Sequence, residues 1–255
     1  GKHLYAEKPL APTLAECDAV IAEAEKHPRL AVHVGYQRRS NPRYREAVEL
    51  VRRGELGSLL SARGQWISSN GPVSGHDHWL AQRARSGDWM VEQAVHVWDL
   101  LHWLDGRLPV QAYGRGRRDV FADIQPARDV TDHYSVMLTW PDGLHATFTH
   151  SWIDPADDAF TGTTLQLVGT AGGLDLSTGV ATYRERGRPR QVLHPGTIPD
   201  TKLALAAFLA AVRAPEPTPP PLTLAEARAA TQIGLLVRQA VDEGQSRIVR
   251  LDEVV

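Results

Sequence analysis

The amino-acid sequence predicts an α/β fold: a short piece of parallel sheet leading into an open, mostly antiparallel sheet packed against helices. Three observations predict it. Residues 1–40 pair a capped amphipathic helix with a short strand that reads as buried on both faces. Beyond residue 58 the apolar period shortens to two, as it does when one face of an antiparallel sheet is buried. One run, Trp89–Leu104, is apolar almost all round, which marks a buried helix.

Taken in order, Thr13 and Glu16 form a capping-box pattern ahead of Leu14, Cys17, Ile21 and Ala24 at helical spacing, and His27-Pro28 ends that helix. Leu30–Tyr36 (LAVHVGY) reads as a strand buried on both faces. Helix followed by buried strand is the grammar of a parallel sheet, although only one such unit is present before the pattern changes. Asn41 caps a second helix, with Pro42 in its first turn and Gly54 just past its end. Leu60, Ala62 and Gly64 then alternate as a strand. Tyr134, Val136, Leu138 and Trp140 are expected to face Leu144, Ala146, Phe148 and Trp152 across a Pro-Asp-Gly turn. Short strands with glycine turns follow through Glu185. Two helices close the chain, from about Thr201 and from Thr223, where TLAE forms a second capping box. The proline-rich APEPTPPP between them is a stiff, exposed connection.

The chain has 255 residues, 42% of them hydrophobic, which supports a real core. Its formal net charge of −2 comes from interspersed acids and bases, with no basic stripe, so nucleic acid is not an expected partner. Cys17 is the single cysteine, which excludes a disulfide framework and fits a reducing, cytoplasmic setting. The apolar runs are too short to span a bilayer, and GKHLYAEKP lacks an apolar signal core, so no membrane association is expected.

Within Trp89–Leu104, Met90, Ala94, Val97, Leu101 and Leu104 form one apolar stripe. Glu92, His96 and Asp99 follow the same spacing on a second face, within about 60° of one another at ~100° per residue. Burying two carboxylates and an imidazole is costly unless they pair or face a site. An imidazole held between acids is a good general base, and a purely structural polar network is the competing reading. Asp99 reads as a structural hydrogen-bonding residue, and His102, about 80° away from Glu92, falls outside the cluster.

Three stretches carry a resemblance. AEKPLA followed by helix, strand and GYQRRSNPRYREAVELVRRGELG resembles the Gfo/Idh/MocA oxidoreductases, named for glucose–fructose oxidoreductase and inositol dehydrogenase. SGDWMVEQAVHVWDLLHWLDG is similar to that family's motif of a glycine turn leading into a helix with an acid and, four residues later, a histidine. GTAGGLDL is similar to its late sheet segment. The resemblance implies an NAD- or NADP-dependent dehydrogenase or reductase acting on a sugar, polyol or related compound. It assigns residues 1–40 to the C-terminal remnant of a Rossmann domain and residues 41–255 to a substrate and oligomerisation domain, with a homodimer or homotetramer formed through the open sheet. Tyr5–Ala11 becomes an active-site loop.

By the same resemblance, Lys8 is the ammonium that hydrogen-bonds the reacting oxygen, and His96 exchanges the hydroxyl proton. Glu92 stands where the family usually has aspartate and binds a substrate hydroxyl or holds the imidazole. Glu7 orients the loop, and Pro9 aims the lysine, with a cis bond as one way to do so. Gln37 and Trp79 match positions near the nicotinamide. Trp89 and Met90, where the family often has glycine, are expected to narrow the pocket. The G-x-G-x-x-G turn that binds the pyrophosphate does not occur in the sequence. The expectation is therefore either a fragment or a protein that has lost most of its cofactor domain. GTAGG (Gly169–Gly173) and GRGR (Gly114–Arg117) read as ordinary turns.

Two rivals stand beside this reading. One is a non-catalytic ligand-binding or assembly module. The other is a metal-dependent hydrolase using His76, Asp77 and His78 with Glu92 and His96, although no zinc spacing such as H-E-x-x-H occurs and no metal site is assigned.

Overall fold

The computed structural model describes residues 1–69, 71, 79–155, 160–177, 181–243 and 248–254. The chain opens with a strand, β1 (Leu4–Ala6), a helix, α1 (Leu14–Glu25), and a second strand, β2 (Val32–Val34), parallel to the first. The predicted parallel unit is thus present, and it begins earlier than expected: Tyr5 and Ala6, read as loop, pair with His33 and Val34. A three-residue strand flanked by polar residues is too short to show a period of its own. The Thr13 hydroxyl accepts from the Glu16 amide at 3.3 Å, which starts α1 at the expected place.

A single 3-10 turn (Gln37–Ser40) leads into α2 (Pro42–Arg52), where the Asn41 side chain accepts from the Arg43 amide at 2.8 Å. Then come β3 (Leu59–Ile67), a 3-10 turn at Trp79–Ala81, α3 (Arg83–Ser86), α4 (Trp89–Glu92) and α5 (Val95–Asp105). The remaining strands are β4 (Gln111–Arg117), β5 (His133–Thr139), β6 (His145–Ser151), β7 (Gly162–Gly169), β8 (Gly172–Asp175), β9 (Ala181–Glu185) and β10 (Gln191–Leu193). Two long helices, α6 (Asp200–Arg213) and α7 (Leu224–Asp242), precede a short last strand, β11 (Val249–Arg250). The Thr223–Glu226 capping box predicted for α7 is fully formed.

Strands β3 to β11 make one sheet in the order β10-β9-β8-β7-β3-β6-β5-β4-β11. Its pairings are antiparallel except β3–β6, which is parallel. The β5–β6 hairpin forms with Tyr134 opposite His150, Val136 opposite Phe148 and Leu138 opposite Ala146. The register places His150, not Trp152, at the end of the buried row. Trp152 lies just past β6 and is buried as well.

Two further sequence expectations change. Leu60, expected inward, is 45% exposed, because the β3–β7 register shifts between Leu59 and Ser61 and reverses the alternation there. GRGR is the interior of β4 rather than a turn, and its glycines lie beneath Val241 of α7.

Helices α5 and α7 pack on the inner face, joining Val136, Leu138, Phe148, Trp98, Leu236 and Val237 in one core. The outer face is left open and carries Gln65, Ser135 and Thr149 in adjacent strands, with Tyr113 and Met137 partly exposed. Among the described residues, no helix is long and apolar enough to cross a membrane.

Candidate active site

The expected single helix over Trp89–Leu104 is divided. Helix α4 ends at Glu92 and α5 begins at Val95, with a turn at Gln93–Ala94. The division separates the three polar residues that a continuous helix would have stacked on one face. Each finds a different environment.

Glu92 meets the opening loop. The Lys8 ammonium donates to the Glu92 main-chain carbonyl at 2.6 Å and to its carboxylate in a short ion pair. Both side chains are largely buried, at 14% and 13% exposure, so the pair is shielded from bulk water. The loop runs along β2, and the Lys8–Pro9 peptide bond is cis. Glu7 is exposed, and its carboxylate accepts from the Lys8 amide at 3.3 Å.

Asp99 turns away from His96 and is buried against Arg39, whose guanidinium donates through Nε and Nη2 at 3.1 and 2.7 Å. Arg39 also binds Glu226 of α7 at 2.8 Å and lies 4.5 Å above the Trp103 ring. Asp99 therefore ties α5 to the turn after β2. This agrees with the structural reading of that residue and removes it from a cluster around His96. His102, expected outside the cluster, is half-buried and lies 3.2 Å from the Arg107 carbonyl.

His96 is itself buried, with Nδ1 lacking a hydrogen-bond partner among the described residues. Its ring meets the edge of Tyr36 at 5.9 Å and the tilted face of Trp66 at 6.4 Å. Burial, then the charges of Arg38 and Lys8, hold its pKa well below the usual histidine range. The imidazole is neutral at neutral pH, with one ring nitrogen uncommitted.

The other predicted residues are more dispersed. Gln37 is half-buried and opens the 3-10 turn directly after Tyr36. Trp79 is 41% exposed, with no described hydrogen bond or ring contact to Lys8, Glu92 or His96. Trp89 and Met90 are core residues rather than a pocket rim: Trp89 stacks on Trp152 at 3.9 Å, and the Met90 carbonyl accepts from Trp98 Nε1 at 2.7 Å. His76, Asp77 and His78 lie outside the described residues. Among the described residues, no three metal-binding side chains converge. A surface groove of about 540 Å³ lies apart from this centre, lined by residues including His27, Pro28 and Pro215.

The structure adds residues that sequence reasoning missed. Arg38 lies 5.6 Å above the Trp66 ring, beside His96. His150 is fully buried next to Trp66 and Tyr134, and burial pushes its pKa down to about 3. Gln93 accepts from both His150 Nε2 and Trp152 Nε1 at 2.7 Å. The period-two signal of β6 could have found His150, two residues after Phe148. Nothing local singles out Arg38 or Gln93.

The sequence pattern that defines the GFO/IDH/MocA C-terminal domain matches residues 44–175. The chain belongs to this family. An inositol 2-dehydrogenase 3 from Saccharopolyspora erythraea is 36% identical over 105 residues, which are 41% of this chain and 28% of the relative. The stretch matched is thus well under two thirds of that enzyme's length. Aldose-aldose oxidoreductase from Caulobacter crescentus, solved with glycerol, superposes with a TM-score of 0.78 at 21% identity, covering 98% of this chain and 72% of that one. Levoglucosan dehydrogenase in complex with NADH and levoglucosan superposes with a TM-score of 0.77 at 19% identity, covering 99% and 74%. At such identities the superpositions establish a Gfo/Idh/MocA fold, with helices against a mixed, mostly antiparallel sheet.

Proposed function

We propose that this chain carries the reacting centre of a nicotinamide-dependent oxidoreductase acting on a sugar, polyol or related hydroxy compound. The observation that carries the reading is the convergence of the Lys8 loop and the α4–α5 segment. An ammonium is fixed on Glu92 four residues before a neutral, buried imidazole with an uncommitted nitrogen, and its charge reaches that imidazole. In alcohol oxidation His96 accepts the hydroxyl proton. Lys8 donates a hydrogen bond to the same oxygen and favours its alkoxide character as the carbon gives up hydride. In reduction both roles reverse. Glu92 fixes Lys8 and offers its second carboxylate oxygen to a neighbouring substrate hydroxyl.

A nicotinamide supplies the hydride acceptor when bound. The orphaned Nδ1 of His96 and the fixed ammonium fit the reacting end of such a group, and the Glu7–Pro9 loop and Gln37, at the ends of the parallel β1–β2 pair, are placed to border it. Trp79, in the 3-10 turn before α3, is proposed to flank the same group. Residues 1–40 are then the closing part of a dinucleotide-binding domain and residues 41–255 the substrate domain, a division supported by a family match that starts at residue 44. The lone Cys17, buried, accords with a reducing cytoplasm.

The test is turnover of inositols and aldoses with NAD and NADP, read as reduced-nicotinamide absorbance. His96→Ala and Lys8→Ala should each lower kcat/KM by about 10²–10⁴-fold. Near-normal turnover in both variants would remove these residues from the reaction. Failure of the natural protein to bind either dinucleotide would favour a non-catalytic binding module. We further propose that the open outer face joins copies of the chain. Light scattering should then show a dimer or tetramer, and Met137→Lys, on that face, should shift it toward monomer.

A further inference from the structure

We infer that Gln93 is a positioning residue: clamped by His150 and Trp152, it holds open the helix break that presents the Glu92 carbonyl to Lys8. In an uninterrupted α-helix the Met90 carbonyl would accept from the Ala94 amide and the Glu92 carbonyl from the His96 amide. Neither bond forms. The Ala94 amide reaches back five residues to Trp89 at 2.8 Å, and the His96 amide reaches three residues to Gln93 at 3.3 Å. The wide turn followed by a tight one releases carbonyls in mid-helix, those of Met90 and Glu92 among them. Both find side-chain donors: Met90 takes the Trp98 indole at 2.7 Å, and Glu92 takes the Lys8 ammonium at 2.6 Å. The lysine therefore occupies a hydrogen-bonding position that exists because the helix is broken.

The residue at the break is also the one tied down. Gln93 Oε1 accepts from His150 Nε2 and from Trp152 Nε1, both at 2.7 Å. His150 is held in turn through Nδ1, 3.2 Å from the Tyr134 hydroxyl. Trp152 is held by its stack on Trp89. The clamp thus joins the end of β6 to the break itself and, through Trp89, to the start of α4. Without the His150 and Trp152 donors nothing ties Gln93 into the break, and the continuous ladder becomes the better alternative.

This inference takes from the proposed function only that Lys8 works at the reacting centre, and its test needs neither substrate nor cofactor. The chain has four lysines, Lys2, Lys8, Lys26 and Lys202, so ¹⁵N-lysine labelling gives few ammonium signals, and loss of one in Lys8→Met assigns Lys8. In the parent chain the Lys8 ammonium signal should be protected from exchange with water. In Gln93→Met it should move toward the exposed lysines or broaden away. His150→Phe, which removes one donor, should move it less in the same direction and serves if Gln93→Met does not fold. Leu104→Ala, at the far end of α5, should lower Tm while leaving the Lys8 signal in place. An unmoved Lys8 signal in folded Gln93→Met or His150→Phe would overturn the inference, as would an equal movement in Leu104→Ala. Loss of hydride transfer with these shifts intact would sink the reaction assignment alone.

Discussion

Arg39 and Asp99 illustrate how a buried charge is tolerated. Asp99 is 1% exposed and receives three Arg39 hydrogen bonds, while the guanidinium is further covered by Glu226 and Trp103. Arg39→Met leaves that carboxylate buried and unpaired, a change expected to cost about 3–5 kcal/mol. Urea melts will measure it, and Arg39→Met with Asp99→Leu should recover much of the loss. A single-variant cost below ~1 kcal/mol would show that water reaches Asp99. His150 predicts a pH effect of definite sign. Its folded-state pKa is about 3, whereas an unfolded histidine titrates near 6.5. The unfolded chain binds the extra proton in that window, so the contribution is complete above the unfolded value and is lost as pH falls toward the folded one. Going from about pH 7 to about pH 5 should remove roughly 2 kcal/mol through this group. His150→Gln should show a correspondingly shallower fall, and identical pH dependence in the two proteins would contradict the assignment.

At the level of elements, capping chemistry was legible and the break was not. Thr13, Asn41 and Thr223 each start a helix where the side chain announces it, because a cap acts over three residues. The stretch WMVEQAVHVWDLL has no proline or glycine to signal an interruption at Gln93. The partners that hold the interruption, His150 and Trp152, lie 57 and 59 residues away in sequence. Local pattern therefore found the residues Glu92 and His96 and misjudged their shared face. Packing against the break is tight. A Cβ on Gly234 of α7 would lie 2.7 Å from the Met90 carbonyl oxygen. Gly234→Ala should cost about 1–3 kcal/mol by overpacking, despite alanine's better helix propensity. A thermal melt showing no loss would mean that α4 can retreat without penalty.

For the whole molecule, the α/β class and the antiparallel hairpin were readable from apolar period, since alternating residues such as Tyr134, Val136 and Leu138 do line the core. Strand order was not, because pairing between distant segments leaves no local mark. The same limit applies to the site. Lys8 was identified through its loop motif, yet its union with Glu92 spans 84 residues and needed the fold. Pairing at the centre of the sheet has an implication for synthesis. Strand β3 is flanked by β6, running parallel, and by β7, running opposite. Both neighbours emerge from the ribosome long after β3 itself. The newborn segment around Leu59–Ile67 must wait with both hydrogen-bonding edges bare until His145–Ser151 has been made, and with one still bare until Gly162–Gly169 follows, so the centre of this sheet stays open through much of synthesis.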